Sequence, residues 1–296
     1  MQNPKIIRPR APKTPLMKAV RLGFIPEHYS TPIHFAQTQK FFSKRGLDVE
    51  LIPYPSGSGH LIQSLDKGEL DAAVGLTEAF VRGIATSPAK YSIVGTYVES
   101  PLHWAVSTGA KRNELQNLKQ LEGKRIGVSR IGSGSYVMSF VLALEQGFNA
   151  GRPFVDFPVC HNFEQLRKSV NDQTSEAFMW EYFTTKKYYQ GENPELKMLG
   201  SIYTPWPSWV LVRQENLDPQ TTRQLSESLD EGIAYFEQHP DQSTEHIKAL
   251  GYSEEDAREW LKKVEFSKSC YTPLKKDVND NVIHVLHTAG VIGDGR

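Results

Sequence analysis

Strand and helix patterns alternate along the chain from residue 18, and this alternation constrains the fold more than any other feature. Short apolar segments bounded by turn residues are typical of β-strands, and longer segments with apolar residues every three or four positions are typical of helices. An ordered β-α-β-α-β series predicts an α/β fold with mainly parallel sheets covered by helices. The predicted strands of the first series span residues 18–25, 48–53, 70–76 and 91–98.

The series begins a second time at residues 124–129, after a polar and charged segment at 109–123. A chain of 296 residues is long enough for two such units, each with its own apolar core. The strand pattern at 209–213 is expected to cross back to the first unit. We therefore predict a disordered leader at 1–17, a first lobe formed by 18–108 and 206–296, and a second lobe formed by 109–205.

Charge and composition exclude several kinds of partner. The chain has 34 Lys and Arg residues and 34 Asp and Glu residues, so no overall charge attracts nucleic acid or an anionic membrane surface. No segment approaches the roughly 18 consecutive apolar residues that cross a bilayer. The two cysteines, Cys160 and Cys270, have neither disulfide-framework nor zinc-site spacing, so no metal site is expected.

The first sixteen residues are basic, contain no acid and lack the apolar centre of a secretory signal. This composition predicts a cytoplasmic protein. A mitochondrial transit peptide is the alternative that the basic composition leaves open.

Ligands of open α/β sheets bind beyond the carboxyl ends of the strands, so the loops at those ends are the candidates for a site. The loop after the first strand contains an acid, an imidazole and a phenol. The loop after the second strand opens a helix with glycines, whose backbone N–H groups favour an anion or another acceptor. The candidate ligand-binding residues of these loops are Glu27, His28, Tyr29, Ser56, Gly57, Ser58 and His60.

The loop after the strand at 124–129 has the strongest signal for an acceptor-bearing ligand group. Its glycines allow close approach, its serine hydroxyls donate, and a helix begins within it. It matches neither the phosphate loop of nucleotide triphosphatases nor the dinucleotide-binding fingerprint. Its candidate ligand-binding residues are Gly132, Ser133, Gly134, Ser135 and Tyr136.

Aromatic and acidic residues near other strand ends complete the candidate set. Flat rings beside a cleft suit a heterocyclic ligand, and a carboxylate accepts a hydrogen bond from a ligand amine. Trp209 is interpreted as packing between the lobes. The remaining candidates are Thr77, Glu78, Trp180, Glu181 and Trp206.

Four segments, in this order and spacing, resemble the periplasmic-binding-protein type II superfamily: residues 22–26 (LGFIP), 41–51 (FFSKRGLDVEL), 67–75 (KGELDAAVG) and 121–128 (LEGKRIGV). Within it, the chain resembles the family of aliphatic-sulfonate- and taurine-binding proteins, thiamine-pyrimidine-precursor-binding proteins and fungal thiamine pyrimidine synthases. The resemblance implies two lobes that close on a ligand cleft around a hinge made of the two crossings.

Three functions remain as hypotheses. The leading one is a protein that binds a small polar metabolite in the cleft without catalysis and without a cofactor, the ligand being a thiamine-pyrimidine-like heterocycle or a sulfonate-like anion. No HExxH or GxSxG motif occurs, and Cys160-His161 does not reproduce the cysteine-rich motif of the synthases, so no catalytic residue is assigned.

The second hypothesis is an enzyme of thiamine pyrimidine biosynthesis that binds pyridoxal phosphate (PLP) and uses His28 or His60 as a reactant. The third is a sensor or scaffold whose lobe closure is read by a protein partner that the sequence does not identify. The ligand itself and the oligomeric state stay open at this stage, because cleft loops vary independently of the scaffold.

Overall fold

A computed structural model describes residues 17–149 and 151–293 of the chain. Residues 1–16 of the expected leader lie outside this part. The strands are β1 (Lys18–Phe24), β2 (Leu47–Pro53), β3 (Ala72–Leu76), β4 (Tyr91–Val98), β5 (His103–Gly109), β6 (Ile126–Gly127), β7 (Ala177–Glu181), β8 (Leu196–Tyr203) and β9 (Trp209–Gln214). The helices of the first lobe before the crossing are α1 (Thr31–Thr38), α2 (Phe41–Lys44), α3 (Ser58–Asp66) and α4 (Thr77–Thr86).

The remaining helices follow the crossing into the second sheet. Those of the second lobe are α5 (Gly134–Gln146), α6 (Phe163–Asn171) and α7 (Tyr182–Lys186). Those after the return to the first sheet are α8 (Pro219–Gln238), α9 (Pro240–Ala249), α10 (Glu254–Leu261) and α11 (Lys276–Thr288). Short 3₁₀ helices lie at His28–Ser30, Leu118–Leu121 and Lys187–Tyr189.

The strands form two sheets, one in each lobe, so the two-lobed α/β architecture is confirmed. The first sheet has the order β2-β1-β3-β9-β4 and the second the order β6-β7-β5-β8. Parallel pairing holds for β1 with β2 and β3, and for β6 with β7. The crossing strands β5 and β9 run antiparallel to both of their neighbours, because each enters its sheet from the other lobe.

The first crossing lies earlier than the boundary expected at 108/109. Strand β5 pairs with β7 and β8, so it belongs to the second lobe, and the chain leaves the first sheet between Val98 and His103. The polar segment that suggested a boundary is instead a surface loop of the second lobe. The return crossing lies between Tyr203 and Trp209, in agreement with the expected position at 205/206.

Helix α8 illustrates how the sequence pattern produces the packing of the first lobe. Asp218 accepts a hydrogen bond from the Thr221 amide and caps the N-terminus, where Pro219 occupies the first turn. The apolar stripe predicted on this helix faces the core, and the α8 axis packs against α1. The buried stripe consists of Leu225, Leu229, Ile233 and Phe236.

Helix α11 contacts both lobes. It packs against α4 of the first lobe and α5 of the second, and the Asn281 side chain donates a hydrogen bond to the Pro205 carbonyl of the return crossing. None of the helices in the described part of the chain is both long and apolar enough to traverse a bilayer.

Substitution of Gly232 by Ala tests the close packing of α8 on α1. An added Cβ would overlap the Pro32 carbonyl oxygen, so the two helices would have to separate. We expect urea denaturation to give a free energy of unfolding lower by about 1–3 kcal/mol. The exposed Glu237→Ala on the same helix is the control and should change it by less than about 0.5 kcal/mol. A stabilised Gly232→Ala variant, as alanine usually produces inside a helix, would contradict this packing.

Candidate functional site

A cavity lies between the two lobes and is called the central cavity below. Its wall is built from loops and strand ends of both sheets, which meet face to face across the cleft. The first lobe contributes Ile25, Glu27, Gly57, Ser58, Leu76 and Trp209. The second lobe and the crossing that leads to it contribute Leu102, Trp104, Ser129, Ser133, Gly134, Ser135, Trp180 and Glu181.

Strand direction explains why these residues converge. Glu27 follows β1, Gly57 and Ser58 follow β2, and Leu76 is the last residue of β3. The three strands are parallel, so their carboxyl ends share one edge of the first sheet. Glu181 likewise ends β7 at the facing edge of the second sheet.

The glycine-serine run at residues 132–135, called the Gly-Ser loop below, forms the start of α5 at the wall of the central cavity. Ser133 is the N-cap residue, and its hydroxyl lies 2.9 Å from that of Ser135, which in turn accepts from the Ser129 amide at 3.2 Å. The Tyr136 amide donates to the Ser133 hydroxyl at 3.4 Å, whereas the Gly134 and Ser135 amides, also in the first turn, have no acceptor within the helix. A Cβ on Gly134 would overlap the end of the Leu76 side chain of the other lobe, which would have to move.

Two carboxyl groups from opposite lobes line the central cavity. The Trp180 indole N–H donates a 2.7 Å hydrogen bond across the cleft to Glu27 Oε1. Burial, followed by the nearby Glu181 carboxylate, raises the pKa of Glu27 to about 8, and the Trp180 hydrogen bond opposes this rise only in part. Glu181 is buried, and its Oε2 accepts from the Thr184 amide at 2.7 Å.

His28 lies behind the cavity wall rather than in it. The side chain is fully buried, with Nδ1 2.9 Å from the Tyr252 hydroxyl and Nε2 3.6 Å from Glu181 Oε1. The Tyr252 hydroxyl is also 2.8 Å from the Thr184 hydroxyl. His28 and Tyr252 belong to the first lobe, and Thr184 belongs to the second, so the Tyr252–Thr184 contact joins the lobes and His28 supports Tyr252.

Glu78 and Thr77 bind the return crossing and not the central cavity. Glu78 is fully buried, and its Oε2 accepts a 3.0 Å hydrogen bond from the Trp206 indole. Burial raises the pKa of Glu78 to about 7, although this hydrogen bond lowers it. The Thr77 hydroxyl donates to the Pro207 carbonyl at 2.6 Å.

The structure thus brings together part of the predicted set. The predicted residues that line the central cavity are Glu27, Gly57, Ser58, Ser133, Gly134, Ser135, Trp180 and Glu181. Those outside its lining are His28, Tyr29, Ser56, His60, Thr77, Glu78, Gly132, Tyr136 and Trp206.

Local contacts explain the positions of the outlying residues. Ser56 and His60 are joined by a 2.7 Å hydrogen bond between Oγ and Nδ1. The Tyr29 ring stacks on Trp209, 5.0 Å between centroids. Gly132 has a left-handed backbone with φ of 85° and lies against Arg82, and Tyr136 packs against Phe140 and Phe157.

Sequence reasoning missed Trp104 and Trp209 as cavity residues. Both lie on strands that cross between the lobes, and the indole nitrogens of both are buried without a hydrogen-bond partner among the described residues. The available signal was a tryptophan at the first or second residue of each crossing strand. Each of these strands begins where the chain enters a sheet from the other lobe, beside the cleft.

The side chains that line the site determine which cofactors it can bind. The residues lining the central cavity, as far as the structure describes the chain, include no lysine that could form a Schiff base with PLP. No group of three or more His, Cys, Asp or Glu side chains among the described residues is arranged to hold a metal ion.

Comparisons with known proteins agree with this architecture. A solved structure of the Candida albicans CA3427 gene product, described as defining a new family with the generic periplasmic-binding-protein fold, is 44% identical, with a TM-score of 0.88 over 95% of this chain and 92% of the other. Residues 104–202 match the family described as Ca3427-like PBP, and residues 13–126 match the NMT1-like family. No curated protein sequence matches the chain.

More distant structures share the fold alone. The alkanesulfonate-binding protein SsuA from Xanthomonas axonopodis pv. citri, bound to MOPS, is 13% identical, with a TM-score of 0.73 over 93% of this chain and 94% of the other. The periplasmic aliphatic sulphonate binding protein SsuA from Escherichia coli is 12% identical, with a TM-score of 0.68 over 94% of each chain.

Burial of Glu78 predicts a pH-dependent stability. The folded-state pKa near 7 is above the ordinary value of 4.5, so the folded protein holds this proton more tightly than the unfolded chain. Stability from this group is therefore present at low pH and is lost as the pH rises through 7. Relative to Glu78→Gln, which keeps an acceptor for Trp206, the wild-type free energy of unfolding should fall by about 2 kcal/mol between pH 5 and pH 8. If the free energy of unfolding changes by the same amount in both proteins between pH 5 and pH 8, the raised pKa of Glu78 is refuted.

Proposed function

Because the chain belongs to the family defined by the Candida albicans CA3427 gene product, whose fold is that of periplasmic binding proteins, we propose that it binds a small nitrogen-containing heterocycle between its lobes. The observation that carries this proposal is the central cavity itself. It is enclosed by both lobes and combines indole rings, two carboxyl groups and the first turn of a helix. A ring-shaped metabolite with N–H donors and at least one acceptor complements all three.

The carboxyl groups support a ligand with donor atoms. Glu181 Oε1 is buried and has no hydrogen-bond partner in the described part of the chain, so it is an unused acceptor at the wall of the cavity. A ligand amine or ring N–H would satisfy it, and leaving such a group unpaired costs about 1–3 kcal/mol. The amides that begin α5 would serve a ring nitrogen or an oxygen on the same ligand.

The sulfonate-like alternative is less well supported. The SsuA relatives are named for sulfonates, which are anions. No lysine, arginine or histidine is among the residues known to line the central cavity here, whereas two glutamates are. An anion would lie beside at least one carboxylate without a compensating cation, which disfavours it electrostatically.

In this proposal the protein binds its ligand without converting it. The serines that line the cavity bond to each other and to backbone groups, and the Ser56–His60 pair lies outside the lining. A cytoplasmic location and a thiamine-pyrimidine-like ligand, both expected from the sequence, are part of the proposal.

A thermal-shift panel followed by calorimetry tests the proposal. We expect 4-amino-5-hydroxymethyl-2-methylpyrimidine or a related aminopyrimidine to raise the melting temperature more than taurine, MOPS or PLP does. Trp180→Phe, which removes the bond to Glu27, should weaken binding about 5- to 30-fold, as expected for the loss of one hydrogen bond. Tyr271→Phe, outside the cleft, is the aromatic control and should bind like the wild type. The proposal fails if sulfonates stabilise the protein and heterocycles do not, or if nothing in the panel stabilises it.

A further inference from the structure

We propose that the ligand of the central cavity carries a protonated nitrogen, which lies between Glu27 of the first lobe and Glu181 of the second and replaces a proton that the two carboxyls hold when no ligand is bound. This inference rests on the proposed binding function and specifies the charge of the ligand. It also predicts an exchange that binding alone does not require: one proton leaves the protein for solvent as the cation enters.

The first step of the argument is charge balance. Glu27 and Glu181 line the same cavity, and the described lining contains no basic side chain. Two ionised carboxylates in one desolvated space repel each other, so one of them takes up a proton unless a cation is present. The raised pKa of Glu27, with burial as its main cause and Glu181 as its second, agrees with this geometry.

The second step is hydrogen-bonding capacity. One oxygen of each carboxyl is occupied, Glu27 Oε1 by the Trp180 indole and Glu181 Oε2 by the Thr184 amide. Glu181 Oε1 is buried without a partner among the described residues, and His28 Nε2 is 3.6 Å away, beyond hydrogen-bond distance. A cationic N–H would supply this oxygen with both a donor and a neutralising charge.

The third step concerns the other titratable and charged groups around the pair. His28 and Tyr29 are buried behind the cavity wall, the Tyr252 hydroxyl is 2.9 Å from His28 Nδ1, and His103 shares an adjacent pocket with Glu181. The nearby lysines are engaged elsewhere: Lys186 with Asp256 and Glu259, Lys187 with the Gly251 carbonyl, and Lys263 with Glu259. None of these lysines lines the central cavity, although Lys263 shares an adjacent pocket with Glu181 and Lys187 shares another with Glu27. Within the cavity itself, a ligand nitrogen would therefore bring the positive charge that the lining lacks.

Lobe closure gives the exchange a mechanical consequence. The two carboxyls belong to different lobes and line the same cavity in this structure. A cation between them therefore favours closure, whereas two carboxylates alone oppose it. A ligand without positive charge would leave the shared proton in place.

Calorimetry with a matched pair of pyrimidines tests the inference. The probes are 4-amino-5-aminomethyl-2-methylpyrimidine, whose side-chain amine is protonated near neutral pH, and its 5-hydroxymethyl counterpart. At pH 6.5 we expect the aminomethyl compound to bind at least about tenfold tighter. Titrations in buffers of different ionisation enthalpy should show release of close to one proton per ligand, falling towards zero at pH 9, where Glu27 is already ionised.

Three variants separate the roles of the carboxyls. Glu27→Gln should abolish proton release, and Glu181→Gln should abolish the preference for the amine. Glu192→Gln, at an exposed position outside the cleft, is the control and should change neither. The pH dependence of proton release by the wild-type protein gives the same information if a cleft variant does not fold.

The outcomes distinguish this inference from the function on which it rests. Equal binding of the two probes without proton release overturns the inference and leaves heterocycle binding intact. Failure of both probes, together with a flat heterocycle panel, overturns the proposed function and the inference with it.

Discussion

The hydrogen bond from the Trp180 indole to the Glu27 carboxyl is the interaction on which the rest of the site depends. It joins the carboxyl end of a parallel strand in one lobe to the facing strand end in the other. Around it, the Gly-Ser loop of α5 meets the end of β3, where a Cβ on Gly134 would displace the Leu76 side chain. The two sheet edges approach each other at this bond, whereas Glu181 Oε1 and the Trp104 and Trp209 indole nitrogens beside it have no partner among the described residues.

Burial gives two glutamates different roles. Glu27 is next to a second carboxyl and lines the cavity, so its proton is exchangeable with a ligand charge. Glu78 is enclosed by the first lobe and the return crossing, where its partner is the Trp206 indole. Desolvation raises the pKa of both. Position therefore decides the role of each group: Glu27 belongs to recognition and Glu78 to stability.

The sequence predicted the scaffold well and the site in part, for physical reasons that differ between residues. Ser133 and Ser135 were predictable because a glycine-serine run after a strand almost dictates a helix start at a sheet edge. His28 was expected to contact a ligand, but it is buried behind Glu181, since sequence position does not reveal which side of a loop faces inwards. Strand β5 was assigned to the wrong lobe because an apolar strand pattern carries no information about which sheet will pair with it.

Helix α11 connects the two lobes outside the cleft. It lies against α4 and α5, which belong to different lobes, and it is tied to the return crossing through Asn281. A rotation of the lobes about the crossings must therefore make α11 slide along one of these helices, because packed helices tolerate small shear movements but not separation. Any change in the angle between the lobes is therefore coupled to the position of a C-terminal helix that does not line the cavity.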